Sequence, residues 1–183
     1  MVLLESESIE MGAAAPDFSL KASDGKTYEL GSFESKKILV VVFMCNHCPY
    51  VQAIWGRLVK LQKKFQDDSV QFVGINPNLN PDYPEESLEK MAEYYQEYSM
   101  NFPYLQDESQ EVARAYGAVC TPDIFVYDEE RLLRYHGRID DNWQDEAGVT
   151  AKNLEEAIGK MVQGQVPDVV QYPSMGCSIK WRE

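Results

Sequence analysis

One stretch of the chain is apolar without interruption, Ile38-Leu39-Val40-Val41-Val42-Phe43-Met44. Its β-branched residues and lack of alternation predict a central strand covered on both faces. Beyond it the period changes. Val51, Ile54, Trp55, Leu58, Leu61 and Phe65 recur at helical spacing, and Pro49 falls in that helix's first turn, where a missing N–H costs nothing. Val70-Gln71-Phe72-Val73-Gly74-Ile75 reads as a second strand, so strand–helix–strand predicts a parallel crossover.

The flanking patterns extend this core. Segments 16–20 and 27–30 alternate around Ser23-Asp24-Gly25-Lys26, which predicts a β-hairpin. Asn76 to Pro84 is a Pro/Asn-rich loop. A helix is expected over about 85–98, with Leu88, Met91, Ala92 and Tyr95 on one face. Phe102-Pro103-Tyr104-Leu105 predicts a short strand, its proline suggesting a sheet edge. A short helix over 108–116 should end at Gly117. A hairpin follows, with strands at 123–127 and 132–136, and the last helix spans about 150–162 with Gly164 closing it. The expectation is one α/β domain: a flexible leader over 1–12, the domain over 13–164, and a tail over 165–183 packed on it. At 183 residues the chain suits one substantial core rather than two.

Composition narrows the function. A formal net charge of −13 argues against nucleic acid and against anionic membrane surfaces. The first residues lack a basic segment followed by an apolar one, so no signal peptide is expected. The longest apolar run is far below the roughly 20 residues that span a bilayer. A cytoplasmic protein is therefore expected. Four cysteines are too few for a disulfide scaffold in a domain of this size.

The candidate chemistry follows the apolar strand: Cys45-Asn46-His47-Cys48-Pro49. The pattern predicts two thiols on the first turn of a helix, where unpaired N–H groups and the helix dipole favour a thiolate. A second thiol one turn away can capture a mixed disulfide. The competing readings are half a zinc site, with His47, Cys120, His136 or Cys177 as further ligands, or two inert core thiols. Tetrahedral zinc needs four ligands and no second paired motif exists, so dithiol–disulfide exchange is preferred. His47 is either solvated or an imidazole that stabilises the thiolate, and the second is preferred. Cys120, beside Thr121-Pro122, is a candidate third redox thiol, although packing in the core is the preferred reading. Cys177 could fold back as a third redox thiol, although a packed or exposed thiol is the preferred reading. His136 is expected to be structural, Asp140-Asp141 to be a solvated acidic loop, Trp55 to be core, and Tyr94, Tyr95 and Tyr98 to be helix-packing aromatics.

The order and spacing of these features, from Gly12–Phe18 through Gly137–Asp141, resemble the thioredoxin-fold superfamily, in its TlpA/ResA-like and peroxiredoxin-like branch. The chain is similar to "peroxiredoxin-like" thioredoxin proteins carrying Asn-His-Cys-Pro-Tyr-Val, here Asn46–Val51, and Gly-Cys-Ser-Ile-Lys-Trp, here Gly176–Trp181. The resemblance implies an α/β thioredoxin fold: a central mixed sheet flanked by helices, with an N-terminal hairpin and an inserted helix–strand element. It implies a thiol–disulfide oxidoreductase with an antioxidant role. Cys45 would be the exposed attacking thiol and Cys48 the more buried resolving one, with Asn46, His47 and Pro49 tuning the pair. Pro122 would be a cis-proline facing the dithiol, and Thr121 would offer backbone hydrogen bonds to an extended substrate. No dissociable cofactor is implied beyond the redox-active disulfide. The partners would be a disulfide- or dithiol-containing protein or small thiol, and an upstream thiol reductant.

The departures from the family pattern are specific. Met44 stands where thioredoxins carry Trp, and Val51 where many TlpA/ResA-like proteins carry an acid used in proton transfer. The general base is left open between His47 and water. Aligning a peroxidatic cysteine with Cys48-Pro49 puts Cys45 in place of a Thr or Ser and Val41 in place of a proline, and replaces the activating Arg near Pro122. A thiol peroxidase is accordingly the alternative enzyme, with weak activity expected. The non-enzymatic alternative is a metal-binding or interaction module using the two cysteines as ligands.

Overall fold

Strand β4 (Ile38–Phe43) has every residue buried because each of its faces meets a separate core. In the computed structural model, which describes residues 3–182, Val40 and Val42 point toward helices α1 (Pro49–Phe65), α2 (Leu88–Glu97) and α4 (Asn153–Val162). Leu39, Val41 and Phe43 point the other way, toward helix α3 (Glu111–Tyr116) and Phe18 and Phe33 of the N-terminal region. Period-two alternation thus serves two hydrophobic layers, which is why the sequence shows no polar position here. Helix α1 lays Ile54, Trp55, Leu58, Leu61 and Phe65 on the sheet. Trp55 is core as expected, stacked on Tyr98 at 4.6 Å and edge-on to Tyr104 at 5.6 Å.

The main sheet has seven strands in the order β3 (Thr27–Glu29), β2 (Ser19–Ala22), β6 (Tyr104–Gln106), β5 (Val70–Asn76), β4, β8 (Asp123–Tyr127), β9 (Leu133–His136). The hairpin of β2 and β3 turns through Gly25, whose φ of +82° suits glycine. Strand β5 runs parallel to β4, as the crossover predicted. Strand β8 runs antiparallel on its other side and is followed by β9. The sheet is therefore mixed, with helices on both faces. Strand β6 corrects the edge expectation drawn from Pro103: it lies between β5 and β2. The proline precedes the strand, and its carbonyl still accepts Gly74 N–H at 2.9 Å, so the interior position loses little.

A second, three-stranded sheet orders β1 (Leu3–Glu5), β10 (Met175–Ser178) and β7 (Cys120–Thr121). It revises the reading of residues 1–12 as a flexible leader, since Leu3–Glu5 pair with the tail; Met1 and Val2 lie outside the described residues. The acidic loop is revised as well. Asp140 is buried and ion-paired with Arg57 at 2.5 Å, and Arg57 also holds the carbonyls of Asn142 and Trp143. His136 is structural: its Nε2 meets Asp123 Oδ1 at 2.8 Å and its ring stacks on Phe125.

Candidate active site

The site begins where β4 ends. Met44 N–H still bonds Ile75 O at 2.9 Å, and its side chain packs over Gly74, where a Cβ would lie 2.8 Å from the Met44 sulfur. The small residue in β5 therefore makes room for the methionine that replaces tryptophan. The chain then leaves the sheet, and helix α1 does not start until Pro49, with Cys48 as its N-cap. This corrects the expectation of two thiols on the first helical turn. Cys45 sits in the loop ahead of the helix, because Pro49 favours the first helical position and the loop's amides have another partner.

That partner is Glu86, which is fully buried. It lies just past the Pro/Asn-rich loop, in the short 3-10 turn Pro84–Glu86 that precedes α2. Its carboxylate accepts the backbone N–H groups of Asn46 and His47, each at 2.9 Å, and the Asn76 amide at 2.6 Å. The His47 ring also meets it, Nδ1 at 2.5 Å, and stacks on Tyr83 with centroids 4.9 Å apart. Asn46 is locked from three sides: it donates to Glu85 O, accepts from Tyr104 OH at 2.9 Å, and its carbonyl accepts from Gln52. His47 and Asn46 thus shape the loop, and the imidazole faces a carboxylate rather than the Cys48 sulfur.

Three thiols and Thr121 meet behind this loop. Cys45 Sγ lies 3.3 Å from Thr121 Oγ1, and Cys48 Sγ lies 3.1 Å from Thr121 O and 2.9 Å from Cys177 Sγ. The Thr121-Pro122 peptide bond is cis, as the family resemblance implied. Cys45 and Cys48 are both 0% exposed, which corrects the expectation of an exposed Cys45. Acidity is also distributed against expectation. The Cys45 thiol beside it pulls Cys48 down to about 5, with the Cys177 thiol and the Val51 and Cys177 amides helping against burial. Cys45 is pushed well above the ordinary thiol value, chiefly by burial, then by its hydrogen bond to Cys48 and the negative charge of Glu86. Of the two motif thiols Cys48 is the more acidic; as a thiol it donates to Thr121 O, and ionisation gives up that hydrogen bond.

The remaining predicted positions divide. Cys177 reaches the site. Cys120 does not join the sulfur cluster: its sulfur's partner is Pro122 O at 3.8 Å, and burial raises its thiol. Neighbours in a strand face opposite ways, so a Cys120 that packs in the core goes with a Thr121 that faces the dithiol. Val51, at the position where an acid is common, is core. Glu86 was the residue missed. Its signal was a carboxylate pair, Glu85-Glu86, set between prolines and a helix, which reads as first-turn acids of that helix. Cys45, His47 and Glu86 each place one ligand atom within 4.8 Å of the others, but Glu86 already accepts four hydrogen bonds, a donor set built for a loop rather than for a cation.

A family model described as AhpC/TSA matches residues 11–136. The chain belongs to the AhpC/TSA family. Thiol-disulfide oxidoreductase ResA of Bacillus subtilis (strain 168) is 26% identical over 129 residues, 70% of this chain and 68% of its own length. A crystal structure of a hypothetical protein from Sinorhizobium meliloti 1021 superposes with a TM-score of 0.93 at 40% identity, covering 97% of this chain and 98% of that one. The thioredoxin domain of a Bacteroides vulgatus thiol-disulfide oxidoreductase superposes at 0.66 with 18% identity, covering 85% and 99%, and shares the fold. This AhpC/TSA member is thus thioredoxin-like in architecture, with two cysteines at the head of α1.

Proposed function

We propose that the chain is a thiol–disulfide oxidoreductase of the thioredoxin-like type whose working pair is Cys45 and Cys48. The observation that carries this reading is the convergence of the two motif sulfurs on Thr121 at the start of α1, Cys45 Sγ 3.3 Å from its hydroxyl and Cys48 Sγ 3.1 Å from its carbonyl. In the reducing direction, Cys48 attacks one sulfur of a substrate disulfide. That S–S bond breaks, a Cys48–substrate disulfide forms, and the leaving thiolate takes a proton. Cys45 then gives up its proton and attacks Cys48 Sγ, releasing the second substrate thiol and leaving a Cys45–Cys48 disulfide. That proton leaves through water, since Cys45 Sγ hydrogen-bonds the Thr121 hydroxyl rather than His47 or Glu86. An upstream thiol restores the dithiol; no dissociable cofactor enters. In the oxidising direction the steps reverse.

Thr121 positions the substrate through its backbone. Beside Pro122 a cavity of about 230 Å³, lined by Tyr50, Ile54, Trp143 and Tyr172 among others, offers apolar room for residues flanking a substrate cysteine. The substrates are accordingly proteins or peptides bearing disulfides or dithiols, in a reducing compartment such as the cytoplasm. Among the described residues no helix is long and apolar enough to cross a membrane.

Trapping tests this reading. Cys45→Ser combined with Cys177→Ser should accumulate a mixed disulfide on Cys48, and Cys48→Ser should trap nothing on Cys45. A trapped adduct on Cys45 alone would return the attacking role to the first cysteine. The peroxidase reading is favoured by one feature, a low-pKa thiol at a Cys-Pro helix start. Among the described residues no arginine hydrogen-bonds that sulfur, so peroxide should yield little trappable sulfenic acid.

A further inference from the structure

Strand β10 runs antiparallel to β7, with Cys177 opposite Thr121 and Ser178 opposite Cys120. The backbone edge expected to receive a substrate strand is therefore covered by the chain's own tail. Gly176 allows the approach: a Cβ there would fall 1.9 Å from Thr121 O and 2.9 Å from the Pro122 ring. Directly opposed residues of an antiparallel pair point to the same face, so Cys177 and Thr121 address the dithiol together. Cys177 Sγ arrives 2.9 Å from Cys48 Sγ, where the sulfur of a substrate cysteine would have to sit. On its outer side β10 is paired with β1, Leu3 opposite Cys177. Both Cys177 and the motif cysteines are almost wholly shielded from solvent.

We propose that Cys177 is a third redox thiol of this site, which forms a disulfide with Cys48 while β10 occupies the groove of an extended substrate. The inference rests on the thiol–disulfide reading above. Starting from the Cys45–Cys48 disulfide, Cys177 releases its proton and attacks Cys48 Sγ. The Cys48–Cys177 bond forms and the Cys45–Cys48 bond breaks. The electron pair remains on Cys45 Sγ, which takes up a proton. The step is an isomerisation that needs no outside oxidant, and it moves the disulfide onto the tail. An incoming peptide disulfide must displace β10 from Thr121 to reach Cys48, so the tail acts as a tethered substrate that competes with the real one. Burial holds the Cys177 thiol up at about 12, which keeps it protonated until an adjacent disulfide draws its attack.

The test uses the full chain as Cys45→Ser and as Cys177→Ser, equilibrated in graded glutathione buffers, acid-quenched, alkylated and mapped by mass spectrometry. Cys45→Ser should close a reversible Cys48–Cys177 bond. Adding Cys177→Ser should abolish it and leave a glutathione adduct on Cys48. A Cys45→Ser chain that shows only thiols or only the adduct across all buffers overturns the proposal. Cys45→Ala repeats the measurement should the serine variant misfold, and carries the same two outcomes. The Cys45–Cys48 bond in Cys177→Ser reports separately on the functional reading: its absence there overturns that reading, whatever Cys45→Ser shows.

Discussion

Cys45 and Cys48 are three residues apart in one motif, yet they stand in opposite surroundings. The Cys45 half of the loop is held by the inserted segment, through a buried carboxylate that adds negative charge beside an already desolvated thiol. The Cys48 half opens helix α1 and faces two other thiols. Spacing brings the sulfurs together, but the donors and charges around each one decide which carries the negative charge. Motif order favours Cys45 as the nucleophile. The helix start and the neighbouring donors favour Cys48.

The sharpest way to break this contrast is to remove each thiol in turn. Cys48→Ser should lower kcat/KM for disulfide reduction by about 1,000-fold or more, the scale expected when a nucleophile is lost. Cys45→Ser should still form its first mixed disulfide. If stopped-flow assays give the reverse pattern, the assignment fails. Next in size is the carboxylate. Glu86→Ala leaves the amides of Asn46 and His47 and the Asn76 side chain without their acceptor, and should cost about 3 kcal/mol in urea unfolding. In Glu86→Gln the charge that raises Cys45 is gone, so the Cys45 thiol should become more acidic. An unchanged Cys45 titration would show that burial and Cys48 set it without Glu86.

The pH dependence sharpens the contrast further. With Cys48 held at about 5, its thiolate is present above that value and is lost as pH falls through it. Ultraviolet thiolate absorbance should therefore show a step near pH 5 in wild type that is absent in Cys48→Ser. A step only in the ordinary thiol range, near 9, would refute the assignment. The smallest effect is expected at Gly176. Gly176→Ala drives a methyl group into Thr121 O, forcing β10 away at a cost of about 1–2 kcal/mol. Alkylation of Cys48 should speed up accordingly. Equal alkylation rates would mean that β10 does not cover the sulfur.

Much of the frame was legible because it is local. The unbroken apolar run, the helical spacing after Pro49 and the turn at Gly25 each report on their own segment, and each element lies where its pattern placed it. What stayed hidden is long-range. Nothing around Glu86 marks it as the anchor of a loop 40 residues earlier. The segment Met175-Gly176-Cys177-Ser178 has little strand propensity, and becomes a strand because β7 and β1 offer it edges. Strand β6 looked like an edge because the hairpin that covers it comes from the other end of the chain. The helix start was misplaced by one motif because the pull of Glu86 on two amides cannot be seen in the spacing of cysteines.

The pairing of Cys48 with Cys177 spans 129 residues, and this separation has a consequence for biosynthesis. A ribosome delivers every strand of the main sheet before it delivers β10. Domains fold as their chain emerges, so for an interval the nascent protein has an assembled sheet and helix α1 but an open Thr121 edge and an uncovered Cys48. During that interval the low-pKa sulfur meets whatever thiols and disulfides surround the ribosome, and the last strand to arrive must clear any adduct it finds there.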